Sequence, residues 1–183
     1  MSLKITYFVH GTTIDNENSL ATGWLPGELS ELGREQAINL GKLVANQKYD
    51  AMFCSDLHRA IESAKLGFGD KYEIIEDRRL REINYGKFSG QPVENFKNNP
   101  AEYINVAFPN GESYKNVEER MRDFCEFLKI NYNEKHIAIV AHQAPQLALE
   151  VITKNKTWEQ AMAEDWRNTK SWQPGWEYEI KDY

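Results

Sequence analysis

The chain has 183 residues, a formal net charge of −6 and a pI near 5.3, with 41% hydrophobic and 27% charged residues. This length is close to that of one domain, and the composition is globular rather than collagenous, disordered or membrane-spanning. The acidic balance gives no general electrostatic reason to bind nucleic acid or an anionic membrane, so an anionic ligand must be attracted locally. We therefore expect one domain over residues 1–183, with neither a nucleic-acid nor a membrane partner.

Short runs of apolar, β-branched and aromatic residues predict buried strands. In chain order these runs are Ile5 to Val9, Ala51 to Cys54, Tyr72 to Ile75 and Ile137 to Ala141. Near the C-terminus, Trp176 to Ile180 alternates apolar and acidic residues, which is typical of an edge strand with one face in water.

Helical patterns lie between these strands. Ser30 is a predicted N-cap for an amphipathic helix that extends to Leu43, and Asp56 to Leu66 and Val117 to Leu128 have similar periodicity. Pro145 fits the first turn of a further helix, where its missing backbone donor is harmless. Strands that alternate with helices predict a three-layer α/β fold, in which helices cover both faces of a mostly parallel central sheet.

The segment from Ile83 to Ser113 is interrupted by glycine and proline too often for a long regular element. The interrupting residues are Gly86, Gly90, Pro92, Pro100, Pro109 and Gly111. We predict that residues 83–113 form an irregular, partly helical excursion over the sheet edge, on the side that receives the substrate.

The two cysteines, Cys54 and Cys125, each have apolar or aromatic neighbours. This setting favours reduced core thiols over a disulfide or a metal site. Reduced thiols suit a reducing cytosol. Residues Met1 to Lys4 lead directly into a strand-like run without a basic and then apolar leader, so the cytoplasm is the expected location.

Tryptophan is concentrated in the last part of the chain, at Trp158, Trp166, Trp172 and Trp176. These rings could stack on bases or sugars, or they could pack in the core. The acidic neighbouring residues and the low pI favour core packing.

Two histidines directly follow predicted strands. His10 and Gly11 come after the first strand, and His142 comes after the run Ile137 to Ala141. Because an open α/β sheet binds ligands at the carboxyl ends of its strands, the two imidazoles are expected to share one site. One such histidine alone would be as readily structural as functional.

Two charged residues are further candidates. Arg59 lies in the first turn of a predicted helix, where backbone donors, the positive end of the dipole and a guanidinium can bind a phosphate together. In isolation Arg59 would instead be a surface residue of an amphipathic helix, and Glu82 one member of a solvated charge run.

Six sequence blocks, in the same order, resemble the histidine phosphatase superfamily, also called the phosphoglycerate-mutase-like family. They are Phe8-Val9-His10-Gly11-Thr12-Thr13 with Asn16, Leu29-Ser30-Glu31-Leu32-Gly33 with Gln36-Ala37, Cys54-Ser55-Asp56-Leu57 with Arg59-Ala60, Leu80-Arg81-Glu82 with Gly86 and Gly90, Pro109-Asn110-Gly111-Glu112-Ser113, and Ile139-Val140-Ala141-His142. The resemblance covers roughly residues 4–150 and is closest to the small phosphatases of the family.

This resemblance implies a phosphoglycerate-mutase-like fold and a histidine acid-type phosphatase acting on a small phosphorylated metabolite. It implies that His10 attacks phosphorus and becomes a transient phosphohistidine. Arg59 and His142 would hold the phosphoryl oxygens, and Glu82 would protonate the leaving alkoxide and then help a water to attack. The resemblance implies no metal and no cofactor.

Gly11, Asn16 and Gln143 are the further substrate contacts that the resemblance implies, together with Arg59. Gln143 is also a departure, because the family usually has glycine after its second histidine. The backbone donor survives at this position, whereas the added side chain is expected to narrow the pocket.

Val9 is the second departure, because the first motif of the family is Arg-His-Gly. One of the two expected phosphate-binding arginines is therefore absent. A charge-assisted hydrogen bond contributes about 1.5–3 kcal/mol, so its loss should weaken phosphate binding and turnover. A lysine or arginine from elsewhere in the chain could fill the same space.

Two other functions stay open. A catalytically degenerate protein would bind a phosphate ligand without turnover, although retention of both His10 and Glu82 favours catalysis. A phosphoglycerate mutase is less favoured, because the chain has no long insertion of the kind that retains a bisphosphate intermediate. The sequence leaves open which phosphate ester is the substrate and what the oligomeric state is.

Overall fold

The computed structural model describes residues 2–96 and 99–181. Within these residues, five strands form one sheet in the order β3-β2-β4-β1-β5. Their bounds are β1 Ser2–Val9, β2 Ala51–Cys54, β3 Ile74–Glu76, β4 His136–Ala141 and β5 Trp176–Lys181. Strands β1 to β4 pair in parallel, and β5 pairs antiparallel with β1 at one edge. The mostly parallel sheet predicted from the sequence is confirmed, as is the edge strand.

Seven α-helices lie in the described part of the chain. Their bounds are α1 Ile14–Glu17, α2 Glu31–Leu43, α3 His58–Phe68, α4 Tyr114–Tyr132, α5 Gln143–Lys154, α6 Trp158–Ala163 and α7 Trp166–Thr169. Helices α2 and α3 pack together, and α4 and α5 form a second pair that α6 joins. None of these helices is long and apolar enough to cross a membrane.

The central strands are buried on both faces, as a covered parallel sheet requires. In β4, Ile137 and Ile139 pack with the residues of α4 and α5, whereas Ala138 and Val140 pack on the opposite face with Ala64 of α3. This alternation divides the core into two clusters on either side of the sheet. The three-layer arrangement is thereby confirmed.

Most predicted boundaries differ from the observed ones by a few residues. Ser30 caps α2 as predicted, since its hydroxyl accepts a hydrogen bond from the Gly33 amide. The third strand begins at Ile74 rather than Tyr72, because the Tyr72 amide still donates to the carbonyl of Phe68 at the end of α3. Helix α3 begins two residues after the predicted Asp56.

The segment from Ile83 to Ser113 contains short 3-10 turns rather than long helices, as its glycines and prolines indicated. The turns are Gly86–Phe88, Val93–Asn95 and Pro100–Tyr103. Aromatic packing replaces regular structure here, with the Tyr103 and Phe108 rings stacked at a centroid distance of 3.8 Å. Several side chains of this segment join the core cluster on the α4 side of the sheet.

Two of the four C-terminal tryptophans, Trp158 and Trp176, are buried in the core. The ring of Trp166 stacks on Trp176 at 5.2 Å, whereas Trp172 is 52% exposed. The prediction of core packing is therefore correct for Trp158, Trp166 and Trp176 and wrong for Trp172.

Cys54 and Cys125 are free, buried thiols, as the sequence predicted. Burial raises the pKa of each thiol to about 12. Because only a thiolate is a strong nucleophile, both cysteines are expected to be chemically inert.

Candidate active site

His10 and His142 follow the carboxyl ends of β1 and β4, two adjacent parallel strands in which Val9 pairs with Ala141. The His10 amide continues the ladder by donating to the Ala141 carbonyl. As a result the two imidazole centroids are 4.9 Å apart. The expected proximity of the two histidines is observed.

The His10 ring is fixed in one neutral tautomer. Its Nδ1 lies 2.7 Å from the carbonyl oxygen of Gly11. Because a carbonyl can only accept, Nδ1 carries the proton and Nε2 keeps its lone pair. Burial, followed by the nearby Arg59 charge, lowers the pKa of His10 from 6.5 to about 3. Nε2 therefore carries a free lone pair at neutral pH.

His142 is fully buried, and its backbone is held by one tyrosine. The Tyr7 hydroxyl donates to the His142 carbonyl at 2.7 Å and accepts from the His142 amide at 3.0 Å. Neither ring nitrogen of His142 has a hydrogen-bond partner among the described residues. Burial, then the charge of Arg59, holds the pKa of this imidazole well below its ordinary value. The neutral ring offers one N–H donor.

Arg59 lies in the first turn of α3 and is 2% exposed. Its Nη2 donates to the Gly23 carbonyl at 2.8 Å, and its Nη1 lies 3.4 Å from the Leu25 carbonyl. Burial lowers the pKa of the guanidinium, and the Glu82 carboxylate acts in the opposite direction. A guanidinium has five N–H donors, so the two carbonyl contacts orient Arg59 and leave donors for an anion.

Both carboxylate oxygens of Glu82 accept backbone hydrogen bonds. Oε1 accepts from Ile83 at 2.8 Å and from Ala144 at 3.0 Å, and Oε2 accepts from Gln143 at 3.1 Å. The carboxylate thus occupies the N-terminus of α5, where the helix dipole favours negative charge. The Gln143 amide, a predicted substrate donor, is therefore bonded to Glu82.

Gly11 allows the His10 loop to approach α2 closely. A Cβ atom at Gly11 would lie 2.2 Å from the Gly33 carbonyl oxygen. The Gly11 amide donates to the Ser63 hydroxyl at 3.0 Å. Its backbone therefore fixes the loop that carries His10.

Asn16 holds the start of α1 through a reciprocal cap with Thr13. Its side-chain oxygen accepts from the Thr13 amide, and its own amide donates to the Thr13 hydroxyl. Asn16 also lines the cavity that contains His10.

A cavity of about 420 Å³ brings most of the predicted residues together. Its lining includes His10, Asn16, Arg59, Glu82 and Gln143, together with Tyr85, Trp166 and Arg167, which the sequence reasoning missed. Burial, then the Glu82 charge, raises the pKa of Tyr85 well above its ordinary value, so its phenol stays neutral. Trp166 and Arg167 are adjacent in the sequence, and this pairing of an aromatic residue with a cation was the only sequence feature that indicated this part of the cavity wall.

Val9 lies between this cavity and a second, more apolar one of about 530 Å³, and it contributes to both linings. Phe8, Leu40, Phe68 and Trp172 are among the residues of the second cavity. Where the resemblance implies a guanidinium, the chain therefore presents an apolar surface beside His10.

Residues 2–96 and 99–181 contain no group of three or more His, Cys, Asp or Glu side chains that could hold a metal ion.

Solved structures share this fold. A protein described as mycobacterial hydrolase 1 superposes with a TM-score of 0.80 at 26% identity, over 89% of this chain and 86% of the other. The alpha-ribazole phosphatase from Shigella flexneri superposes with a TM-score of 0.75 at 27% identity, over 88% and 84%. A phosphoglycerate mutase from Bacillus anthracis str. Sterne, at 22% identity and a TM-score of 0.73, has the same fold. The fold is therefore phosphoglycerate-mutase-like.

Sequence relatives agree with the fold. The family model for the histidine phosphatase superfamily (branch 1) matches residues 7–171. The chain is 33% identical over 134 residues to the fructose-2,6-bisphosphatase TIGAR of Xenopus tropicalis, which is 68% of this chain and 49% of that protein. It is 29% identical over 156 residues to phosphoserine phosphatase 1 of Hydrogenobacter thermophilus, covering 80% and 74%.

The chain belongs to branch 1 of the histidine phosphatase superfamily, which confirms the resemblance drawn from its six sequence blocks. It spans about half the length of the Xenopus relative, at 49%.

Proposed function

We propose that this protein is a phosphomonoesterase that hydrolyses a small phosphorylated metabolite through a phosphohistidine at His10. One observation carries the proposal: His10 has its Nδ1 proton bound to the Gly11 carbonyl, which leaves Nε2 unprotonated beside Arg59 and His142. A neutral imidazole held in this way is ready to attack an electrophilic centre.

In the first step, Nε2 of His10 forms a bond to phosphorus while the ester P–O bond breaks. The leaving oxygen takes a proton from Glu82, and the phosphoryl group stays on His10. Arg59 and the His142 N–H donate to the equatorial oxygens as charge develops. In the second step, the water oxygen forms a bond to phosphorus, Glu82 accepts the water proton, and the P–Nε2 bond breaks, which frees inorganic phosphate and restores neutral His10.

The hydrogen bonds of Glu82 select the oxygen that carries this proton. Oε1 accepts two backbone N–H groups, whereas Oε2 accepts one. Each carboxyl oxygen has two lone pairs, so Oε2 keeps one free for a proton. We assign the acid and base role to Oε2.

The buried ring of His142 is evidence in favour of a phosphate ligand. Buried polar atoms are nearly always hydrogen-bonded, yet both nitrogens of this ring lack a partner among the described residues. A phosphoryl oxygen beside His10 would accept the His142 N–H, which gives the ring a role in both binding and transfer.

The relatives support hydrolysis of a phosphate ester without selecting one substrate. They include a fructose-2,6-bisphosphatase, a phosphoserine phosphatase and an alpha-ribazole phosphatase. A phosphoglycerate mutase of Streptococcus mutans also matches, over 49% of this chain and 41% of its own length. Hydrolase activity is the better-supported proposal, because the chain lacks a long insertion that would retain a phosphorylated intermediate.

A catalytically degenerate phosphate-binding protein is the second candidate, and Val9 is the observation that favours it. The residue before His10 is apolar in place of the arginine of the family motif. Turnover separates the two candidates, because a binding protein would retain phosphate affinity without releasing phosphate from an ester.

Phosphate release from a panel of phosphorylated metabolites and p-nitrophenyl phosphate tests the proposal. His10→Ala should abolish release, whereas the same substitution at the exposed His58 should leave it unchanged. Glu82→Gln should slow phosphate release from alkyl phosphates more than from aryl phosphates, because only a poor leaving group needs the proton. Wild-type turnover in the His10→Ala variant would contradict the nucleophile assignment, and an inactive wild type that binds phosphate would support the second candidate.

A further inference from the structure

The C-terminal part of the chain brings a second arginine to the site. Arg167, in α7, lines the same cavity as His10, Arg59 and Glu82. Its positive charge also contributes to the lowered pKa of His10, after burial and Arg59, and to that of His142, after burial, Arg59, His10 and Arg120. Arg167 is therefore close enough to act electrostatically on both imidazoles.

The guanidinium of Arg167 is anchored from two sides. Its Nη1 donates to Asp165 Oδ1 at 3.0 Å and to Gln146 Oε1 at 3.3 Å. Its Cζ lies 4.4 Å from the centre of the Trp166 ring. The hydrogen bonds use Nη1 alone, so Nε and Nη2 keep donors for an anion. The side chain is 26% exposed and is therefore accessible from the cavity.

Asp165 connects this arginine to the unusual glutamine after His142. The buried Asp165 carboxylate accepts from Gln143 Nε2 at Oδ2 and from Arg167 at Oδ1. The side chain that replaces the glycine of the family thus helps to hold the carboxylate that positions Arg167.

We propose that Arg167 binds the phosphoryl group and supplies the second cation that is missing at Val9. The inference deepens the proposed function and rests on it. A phosphate monoester dianion beside His10 would receive N–H donors from Arg59 and Arg167, with Gln143 and Asp165 as positioning residues. Asp165 offsets part of the positive charge of Arg167. The loss of phosphate binding on removing Arg167 is therefore expected near the lower end of the range for a charge-assisted hydrogen bond.

Two measurements on the full chain test the inference: kcat/KM for p-nitrophenyl phosphate, and the Kd for inorganic phosphate by calorimetry. Arg167→Ala should reduce kcat/KM and weaken phosphate binding by about tenfold or more. Arg167→Lys should retain part of both, because it keeps the charge and loses the planar fork.

Arg122→Ala is the matched control and should leave both values unchanged. Arg122 also donates to a buried carboxylate, that of Glu118, which keeps Lys115 and Trp158 as partners. If Arg167→Ala does not fold, Arg167→Gln replaces it, since glutamine keeps a donor toward Asp165 and loses the charge and the guanidinium fork.

A second test restores the cation at the position that the family uses. Val9→Arg should give no gain in the wild-type background, because the new guanidinium would meet Arg167. In the Arg167→Ala background it should recover about tenfold in kcat/KM. A gain for Val9→Arg alone, with no effect of Arg167→Ala, would overturn the inference.

The outcomes separate this inference from the proposed function. An active wild type with an unaffected Arg167→Ala variant overturns the role of Arg167 alone. An inactive wild type whose phosphate affinity depends on Arg167 overturns the proposed hydrolysis and supports the binding role of Arg167. A wild type that neither turns over nor binds phosphate overturns both.

Discussion

At the scale of single residues, the surroundings of His10 keep its imidazole neutral with a free lone pair on Nε2, as the proposed nucleophile requires. The Gly11 carbonyl fixes the tautomer, while burial and Arg59 oppose protonation. The sequence indicated which histidine to examine, because His10 follows a strand and matches a family motif. It could not indicate the tautomer or the lowered pKa, since both depend on groups contributed by other elements.

The lowered histidine pKa values predict a specific loss of stability in mild acid. His10 has a pKa of about 3 in the folded state and 6.5 as its ordinary value, so the unfolded state binds more protons between these two values. The contribution of His10 to the free energy of unfolding is fully present above about pH 6.5 and is lost as the pH falls toward about pH 3. His142 acts in the same direction.

Urea denaturation at about pH 7, pH 6 and pH 5 measures this effect. The free energy of unfolding should fall as the pH falls, and the fall should be shallower for His10→Gln by at most about 1.4 kcal/mol per pH unit. His58→Gln, at an exposed site, serves as the control for the substitution. Equal slopes for His10→Gln and wild type would show that His10 titrates alike in the folded and unfolded chain.

At the scale of elements, α2 and the loop after β1 make a backbone contact that holds His10, the proposed nucleophile. A Cβ atom at Gly33 would lie 1.9 Å from the Thr12 carbonyl oxygen, a distance that no relaxed structure tolerates. Thr12 follows His10 and Gly11 directly, so a shift of α2 would move the nucleophile. Glycine at position 33 therefore supports the site despite its low helix propensity.

Gly33→Ala should lower both stability and activity. The added methyl group overpacks the contact, which predicts a loss of about 1–3 kcal/mol in the free energy of unfolding. Glu35→Ala, exposed on the same helix, is the matched control and should change stability by less than about 0.5 kcal/mol. Retention of wild-type stability and kcat/KM in Gly33→Ala would show that α2 can move away without disturbing His10.

The regular elements that the sequence predicted are those with a clear period or a cap. Ser30 located the start of α2, and the apolar run Ile137 to Ala141 located β4. The four-residue helices α1 and α7 were missed because so short a helix has no periodicity to detect. The predicted start of the third strand at Tyr72 was wrong, because the end of α3 uses that amide.

At the scale of the whole molecule, the C-terminal segment returns to the site from the far end of the chain. Strand β5 pairs antiparallel with β1, and α7 precedes it, so Arg167 lines the cavity that contains His10. The six sequence blocks end near residue 150, before this segment, although the family model itself matches as far as residue 171. The family motifs therefore predicted His10, Arg59, Glu82 and His142, whereas only the tertiary fold reveals the position of Arg167.

A phosphohistidine at His10 is the intermediate on which the proposed function depends, and trapping it is the most direct test. The full chain is mixed with a radiolabelled aryl phosphate, quenched in alkali during turnover, digested and mapped by mass spectrometry. Label is expected on His10, through a bond that acid cleaves, and no label is expected in His10→Ala. Phosphate release without a labelled intermediate, or label on His142 in place of His10, would contradict a phosphohistidine at His10.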